Sequence, residues 1–349
     1  MLRTPRLRPL LLLVVTAFAV GACGDTDDPG AGVAPSTSAT STSPASAPTT
    51  TTGSTTTTTR AWPLTAPAAK LPVTVTDANG TRVTITNIDR IASLQGDITE
   101  VLWTLGLADR IAVVDTTSVY PDTILKTKPN AGFFRTLGAE GLLAQKPTVV
   151  LAHPGAGPVA VLDAVRAAGV PIVIIPELNG TDLMDAPKKI KAVGEAVGLA
   201  DHAASLAAQV EADITAAIAE VKARPAATAA IAAYIVPRGT SVFLTGLDNP
   251  SNAIIAAAGG TSVAKVLGLK TATPLTPEAL IGAQPTHVVS TPTAVAQAGG
   301  EAAFLAIAGI AETPAGRNKK LIMMDDQLIQ QFGPRTGTAV RDLATKLAG

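Results

Sequence analysis

Two stretches of this chain, "AEGLLAQKPTVVLA" (139–152) and "PEALIGAQPTHVVS" (277–290), match position by position in Glu, Leu, Pro, Thr and Val and in their apolar pattern. Each reads as a short helix, a Pro-Thr turn and an apolar strand. A chain that carries one helix–turn–strand unit twice, far apart, is constrained to two lobes built on one plan. Glu140 and Glu278 then occupy equivalent places, one per lobe. Each is an acid at a helix start, where the helix dipole favours it, or one of a matched pair of docking points on a pseudo-symmetric surface.

The flanking sequence supports this plan. "RVTIT", "RIASL", "RIAVVD", "TVVLA" and "PIVIIP" are short apolar runs, with helix-like "TEVLWTLGLA" and "PVAVLDAVRAAG" between them. Strands alternating with helices predict a mostly parallel sheet covered on both faces. The same pattern returns in "AAIAAYIV", "NAIIAAAGG", "THVVS" and "KLIMMD". Between the halves, the alanine-rich segment from Asp201 to Arg224 is rich in strong helix formers and predicts a rod of roughly 30 Å or more. The expected fold is α/β: two Rossmann-like lobes joined by one long α-helix, with a ligand cleft between the lobes. The expected divisions are an N-terminal lobe over 72–182, a connecting helix over 183–224 and a C-terminal lobe over 225–349.

The N-terminus has a different character. "MLRTPRLRPLLLLVVTAFAVGACG" joins basic Arg3, Arg6 and Arg8 to an apolar stretch from Leu10 to Val20. At about 1.5 Å per residue, that stretch falls far short of the ~30 Å hydrocarbon core of a bilayer. It reads as a signal peptide over 1–22. "VGAC" resembles the bacterial lipoprotein processing box, which makes Cys23, the chain's single cysteine, the lipidated first residue of the mature protein. The Thr/Ser/Pro-rich tract over 23–71 cannot bury enough apolar surface to offset its ordering entropy, and is expected to be a disordered tether. Twenty-seven basic and 27 acidic residues cancel, and no basic stripe follows the first ten positions. Nucleic-acid binding therefore lacks its electrostatic driving force. The chain shows no G-x-S-x-G elbow, Walker phosphate loop or H-E-x-x-H, so common hydrolase, nucleotidase and zinc-protease sites are absent.

This layout resembles the substrate-binding proteins of ABC importers, in the class whose two lobes are joined by a rigid helix. Within that class, "VVDTTSVYP", "AEGLLAQKPTVVLA", "AGP..VLDAVRAAGVPIV" and "FGPRTG" are similar to the haem-binding members. The resemblance implies a lipid-anchored receptor on the extracytoplasmic face of the cell membrane, haem as a transported ligand rather than a catalytic cofactor, and no enzyme activity. It also implies an ABC permease dimer as partner, docked through Glu140 and Glu278. Cobalamin or a ferric siderophore is the alternative cargo within the class. A dehydrogenase-like reading also exists: Gly155-x-Gly157-x-x-Ala160 with Glu177 is a loose dinucleotide fingerprint, although Pro158 sits in its turn.

Ligands of open parallel sheets bind beyond the carboxyl ends of the strands. His153, directly after "TVVLA", is expected on the cleft rim, as a ligand for haem iron or a hydrogen-bonded loop residue. Tyr120, after "RIAVVD", is the alternative iron ligand or a loop ring capping the core. Tyr234 and Arg238, in "AAYIVPRG", open the second lobe as candidate ligand contacts, with a core position the favoured expectation for the tyrosine. Phe133 stands where haem-binding relatives typically carry the Tyr of a Tyr-x-Arg, and Val236 where some carry a second one. Phe133 and Phe134 are expected to cover a flat macrocycle, with one of them facing the core. Arg135 is expected to pair with a propionate. Asn252 and Arg335, each beside a helix start, are candidate ligand contacts or ordinary capping residues. His202 reads as a surface helix residue and His287 as structural.

Overall fold

A computed structural model describes residues 66–177, 180–224, 230–238 and 241–349. The expected signal peptide, Cys23 and nearly all of the expected tether lie outside the described residues. The first lobe opens with a hairpin of β1 (Val73–Thr76) and β2 (Arg82–Ile85). Asp77 closes its turn by accepting from the backbone N–H groups of Asn79 and Thr81, both at 2.9 Å. Then come β3 (Ile91–Leu94), β4 (Ile111–Val114), β5 (Val149–Ala152) and β6 (Ile172–Ile174), all parallel, in the order β4-β3-β5-β6. The strands are buried nearly throughout, which explains why they read as unbroken apolar runs rather than alternating ones.

The second lobe is a mixed sheet. Its strands are β7 (Ile231–Arg238), β8 (Ser241–Leu244), β9 (Thr261–Ser262), β10 (Thr273–Pro274), β11 (His287–Ser290) and β12 (Leu321–Met323). The order is β10-β8-β7-β11-β12, with β9 paired to β7. β7, β11 and β12 run parallel, whereas β8 turns back antiparallel on β7. "NAIIAAAGG", grouped with the apolar runs in the sequence, is instead largely the helix Pro250–Ala257. Asn249 caps it by accepting from the Ser251 N–H at 3.0 Å, with Pro250 in the first turn.

The repeated unit occupies the same place in both lobes. The helices Ala139–Ala144 and Pro277–Ala283 lead into β5 and β11, and each of those strands lies between two parallel neighbours. Even the turns agree: Lys146 (φ 47°) and Gln284 (φ 48°) are both left-handed non-glycine residues immediately before the Pro-Thr pair.

The connecting segment divides where one helix was expected over 183–224. Asp185–Ala196 and Ala200–Lys222 are separate helices, broken at Gly198, whose φ of 70° suits glycine. The second has 23 residues and spans about 35 Å at 1.5 Å per residue. The two pack so closely that a Cβ at Gly194 would collide with that of Ala203. The C-terminal helix Thr336–Ala348 is tied to the rod by Arg341, which donates to Asp213 Oδ1 at 2.9 Å and Glu220 Oε2 at 2.7 Å.

A buried ion pair joins Lys189 of the helix Asp185–Ala196 to Asp97 of the helix Gly96–Thr104. Removing one partner strands a charge away from water, so Lys189→Ala is expected to lose about 3–5 kcal/mol in urea unfolding. The apolar double variant Asp97→Leu/Lys189→Met is expected to recover most of that loss, because it strands neither charge.

Candidate ligand cleft

In the first sheet the chain leaves β3 toward β4 and leaves β5 toward β6, in opposite directions, so the crevice between β3 and β5 is a topological switch point. His153 stands at its edge, one residue past β5. Its ring is only 3% exposed and both nitrogens are engaged. Nδ1 accepts from the Gly155 N–H at 2.7 Å, and Nε2 lies 2.5 Å from Glu177 Oε2, so the proton sits on Nε2. The His153 bond holds the Glu177 carboxyl below the usual carboxylate range, helped by the charges of Lys189 and Arg135 and opposed by burial. The acid of the dinucleotide fingerprint is thus the partner of the rim histidine.

Three further residues build onto this pair. Phe134 packs into the first lobe's core, 4.8 Å from the His153 ring centroid, while Phe133 is 42% exposed. The expected split between the two phenylalanines is what the fold produces. The exposed Arg135 lies over the Phe134 ring at 4.7 Å and above Gly155, where no side chain fits without displacing it. Two backbone bonds at 2.9 Å, Gly157 N–H to Phe134 and Leu137 N–H to Gly157, hold the two rim loops together.

The Tyr120 loop rests on a buried hydroxyl chain. Thr117 and Ser118 donate to the Asp115 carboxylate at about 3 Å, and Ser118, Thr99 and Ser93 continue the chain at 2.8 and 2.7 Å. Tyr120 is half-buried, and the guanidinium of Arg335, from the other lobe, lies 3.6 Å from its ring centroid. Arg335 also makes two side-chain bonds of 3.0 Å to Glu100, a buried carboxylate of the helix Gly96–Thr104. Burial raises the Glu100 pKa, and Arg335 opposes that rise. Arg335, a candidate ligand contact or capping residue, stands at the N-cap position of the helix Thr336–Ala348 and is a contact between lobes.

The remaining candidates divide. Tyr234 is 2% exposed inside the main core, so its position corrects the ligand-binding expectation and agrees with the core one. Asn252 is buried and donates to the Gly246 carbonyl at 2.5 Å, an internal brace of the β8 loop rather than a free contact. Arg238 ends β7, and its side chain lies outside the described residues. His287 is buried against Thr286 at 2.9 Å, and burial with nearby Lys320 lowers its pKa. Glu140 and Glu278 are both exposed in the first turns of their helices, without an ion-pair partner among the described residues. Glu100, Asp97, Lys189 and Asp115 were not singled out from the sequence. For Asp97 and Glu100 the signal is an acid inside an apolar helical run, "GDITEVLWTLG", which demands a buried partner.

Burial pushes the Asp115 pKa up from 3.8 to about 6. Between those values the folded protein keeps a proton that the unfolded chain has released, so stability falls as pH rises through that window and is level above it. Asp115→Asn is expected to remove that slope, an effect of about 3 kcal/mol in urea melts at pH 4 and pH 7.

The model of the "Periplasmic binding protein" family matches residues 91–328. An uncharacterized ABC transporter substrate-binding lipoprotein of Bacillus subtilis (strain 168) is 24% identical over 79% of this chain and 85% of its own. A vitamin B12-binding protein of Yersinia pestis (strain Pestoides F) is 34% identical, over 24% of this chain and 30% of its own. Among solved structures, the periplasmic haem-binding protein RhuT from Roseiflexus sp. RS-1, in apo form, superposes with a TM-score of 0.70 at 37% identity, covering 75% of this chain and 98% of that one. BhuT in complex with two haems gives 0.68 at 33%, covering 74% and 97%. The haem-binding protein HmuT gives 0.74 at 28%, covering 81% and 92%. The two-lobed fold and the family match over most of its length agree: this chain belongs to the periplasmic binding protein family.

Proposed function

We propose that this chain is a lipid-anchored, extracytoplasmic receptor that captures haem and delivers it to an ABC permease. The observation that carries the reading is the rim cluster at the switch point, Phe133, Phe134, Arg135 and His153, in a chain similar over nearly the full length of three haem-binding proteins. The exposed Phe133 face suits a flat macrocycle. The Arg135 guanidinium, without a carboxylate partner among the described residues, matches a propionate. His153 and Tyr120 are the candidate iron donors. His153 must give up Glu177 to reach iron, whereas the Tyr120 hydroxyl has no hydrogen-bond partner among the described residues. The signal-like N-terminus and Cys23 support export and lipid anchoring. Phenylalanine at 133 and valine at 236, in place of tyrosines, favour a second cargo reading, cobalamin or a ferric siderophore, whose metal arrives already chelated.

Hemin titration of the purified protein is expected to shift the Soret band at micromolar concentration, and Arg135→Ala is expected to weaken binding about tenfold, on the scale of one charge-assisted bond. No spectral change with hemin, alongside retention of cyanocobalamin, replaces haem by the second reading. His153→Ala is expected to alter the bound spectrum, and an unaltered one moves the assignment to Tyr120. Reversing charge at Glu140 and Glu278 together is expected to leave hemin binding intact and to abolish uptake in cells, so undiminished uptake removes their docking role.

A further inference from the structure

Exposed apolar side chains carry little meaning singly and mark a binding surface when they gather. Among the described residues, the large ones left exposed are Leu125, Phe133, Val159, Leu247 and Val266. Phe133 and Val159 gather at the rim of the first lobe. The Gly157 N–H donates to the Phe134 carbonyl at 2.9 Å, which brings the start of the helix Val159–Ala167 beside the two phenylalanines. Val159, its first residue, is 69% exposed.

Leu247 belongs to the second lobe, in the loop between β8 and the helix Pro250–Ala257. That loop is firmly braced. The Leu247 N–H donates to the Leu269 carbonyl at 2.9 Å, and the Asp248 N–H to that of Lys270 at 3.1 Å. Asn252 holds the Gly246 carbonyl, and Gly246 lies so close to the Thr271 backbone that no side chain fits there. Leu247 is thereby held out of the core, 37% exposed. It is held at the seam between the lobes. A side chain at Gly180, three residues past Glu177, would press on Pro250 and on the Asp248 carbonyl. Leu247 is therefore one residue from a contact that begins beside the His153–Glu177 pair.

A ligand finds no deeper seat. The cavity between Asp97, Glu177, Lys189 and Phe332 is only about 20 Å³, and the one beside Glu100 and Arg335 holds no free volume. Ligand pockets are ordinarily of about 300–1,000 Å³, so a ligand is confined to the mouth of the cleft. There the second lobe's polar candidates are already taken, Asn252 within its own loop and Arg335 at Glu100, with Tyr234 in the core. Among the described side chains, Leu247 is what that lobe still offers.

We propose that Leu247 is the second lobe's contact with the ligand, forming with Phe133 and Val159 of the first lobe an apolar slot that takes a macrocycle by its faces while Arg135 takes an acidic edge. The slot rests on the receptor reading above and adds to it a wall from the opposite lobe.

The test labels the leucine and valine methyls of the full chain and follows them by NMR as zinc protoporphyrin IX, a diamagnetic ring with the propionates of haem, is added. The ring current displaces methyls that lie over its face. The Leu247 and Val159 methyls are expected to move upfield together with the Phe133 ring signals, while Val221 of the rod stays in place. Leu247→Ala is expected to weaken hemin binding about tenfold, on the scale of one buried leucine side chain, and Leu247→Met to recover most of that loss. An unmoved urea midpoint in both variants is expected, because the side chain lies outside the core. Binding that moves the Phe133 signals but leaves the Leu247 methyls in place overturns the slot alone, as does an undiminished hemin affinity in Leu247→Ala. A Val266 shift as large as that of Leu247 marks adsorption to exposed apolar side chains in general and also overturns it. No shift anywhere, with no spectral change for hemin, defeats the receptor reading and the slot with it.

Discussion

A carboxylate buried in one lobe and satisfied by the other is the constraint on which the cleft depends. Glu100 has no water to return to, so its bonds to Arg335 and Gln327 must form for the fold to be complete. Through Arg335 that requirement reaches Tyr120, and through Gln327 it reaches the Gly96 turn that begins the same helix. One buried carboxylate thereby joins the two lobes and ties the start of its own helix to the Tyr120 loop.

The rim is organised by a second, independent set of contacts. His153, Glu177, Gly155, Phe134 and Arg135 lock two loops into one surface at the switch point. The deep floor is charged and closed, whereas the rim is half apolar and open. A flat, amphipathic ligand with an apolar face and acidic edges is the chemistry this division suits, because Phe133 offers area and Arg135 a charge in adjacent positions.

Much of this was legible in the sequence, and for identifiable reasons. Parallel strands buried on both faces must be continuous apolar runs, so β3 to β6 and β11 stand out against their polar flanks. The repeated helix–turn–strand unit exposed the twofold plan, down to the matched left-handed turns at Lys146 and Gln284. The "NAIIAAAGG" run misled because a buried helix and a buried strand share an apolar composition, and only the Asn249-Pro250 cap distinguishes them. The break at Gly198 was missed because alanine-rich composition continues across it.

The sequence alone determined that there are two α/β lobes with a rod between them and loops of aromatic, Arg and His residues at the strand ends. These follow from local periodicity and propensity, which act over a few residues. Which candidate groups stay at the rim and which are taken up inside the fold was decided only by the tertiary structure. Arg335 was drawn away to Glu100, Tyr234 was buried and His153 was paired with Glu177. Each of those outcomes depends on a partner tens to hundreds of positions away, and satisfying a buried charge or amide is a property of the assembled core, not of any stretch of chain.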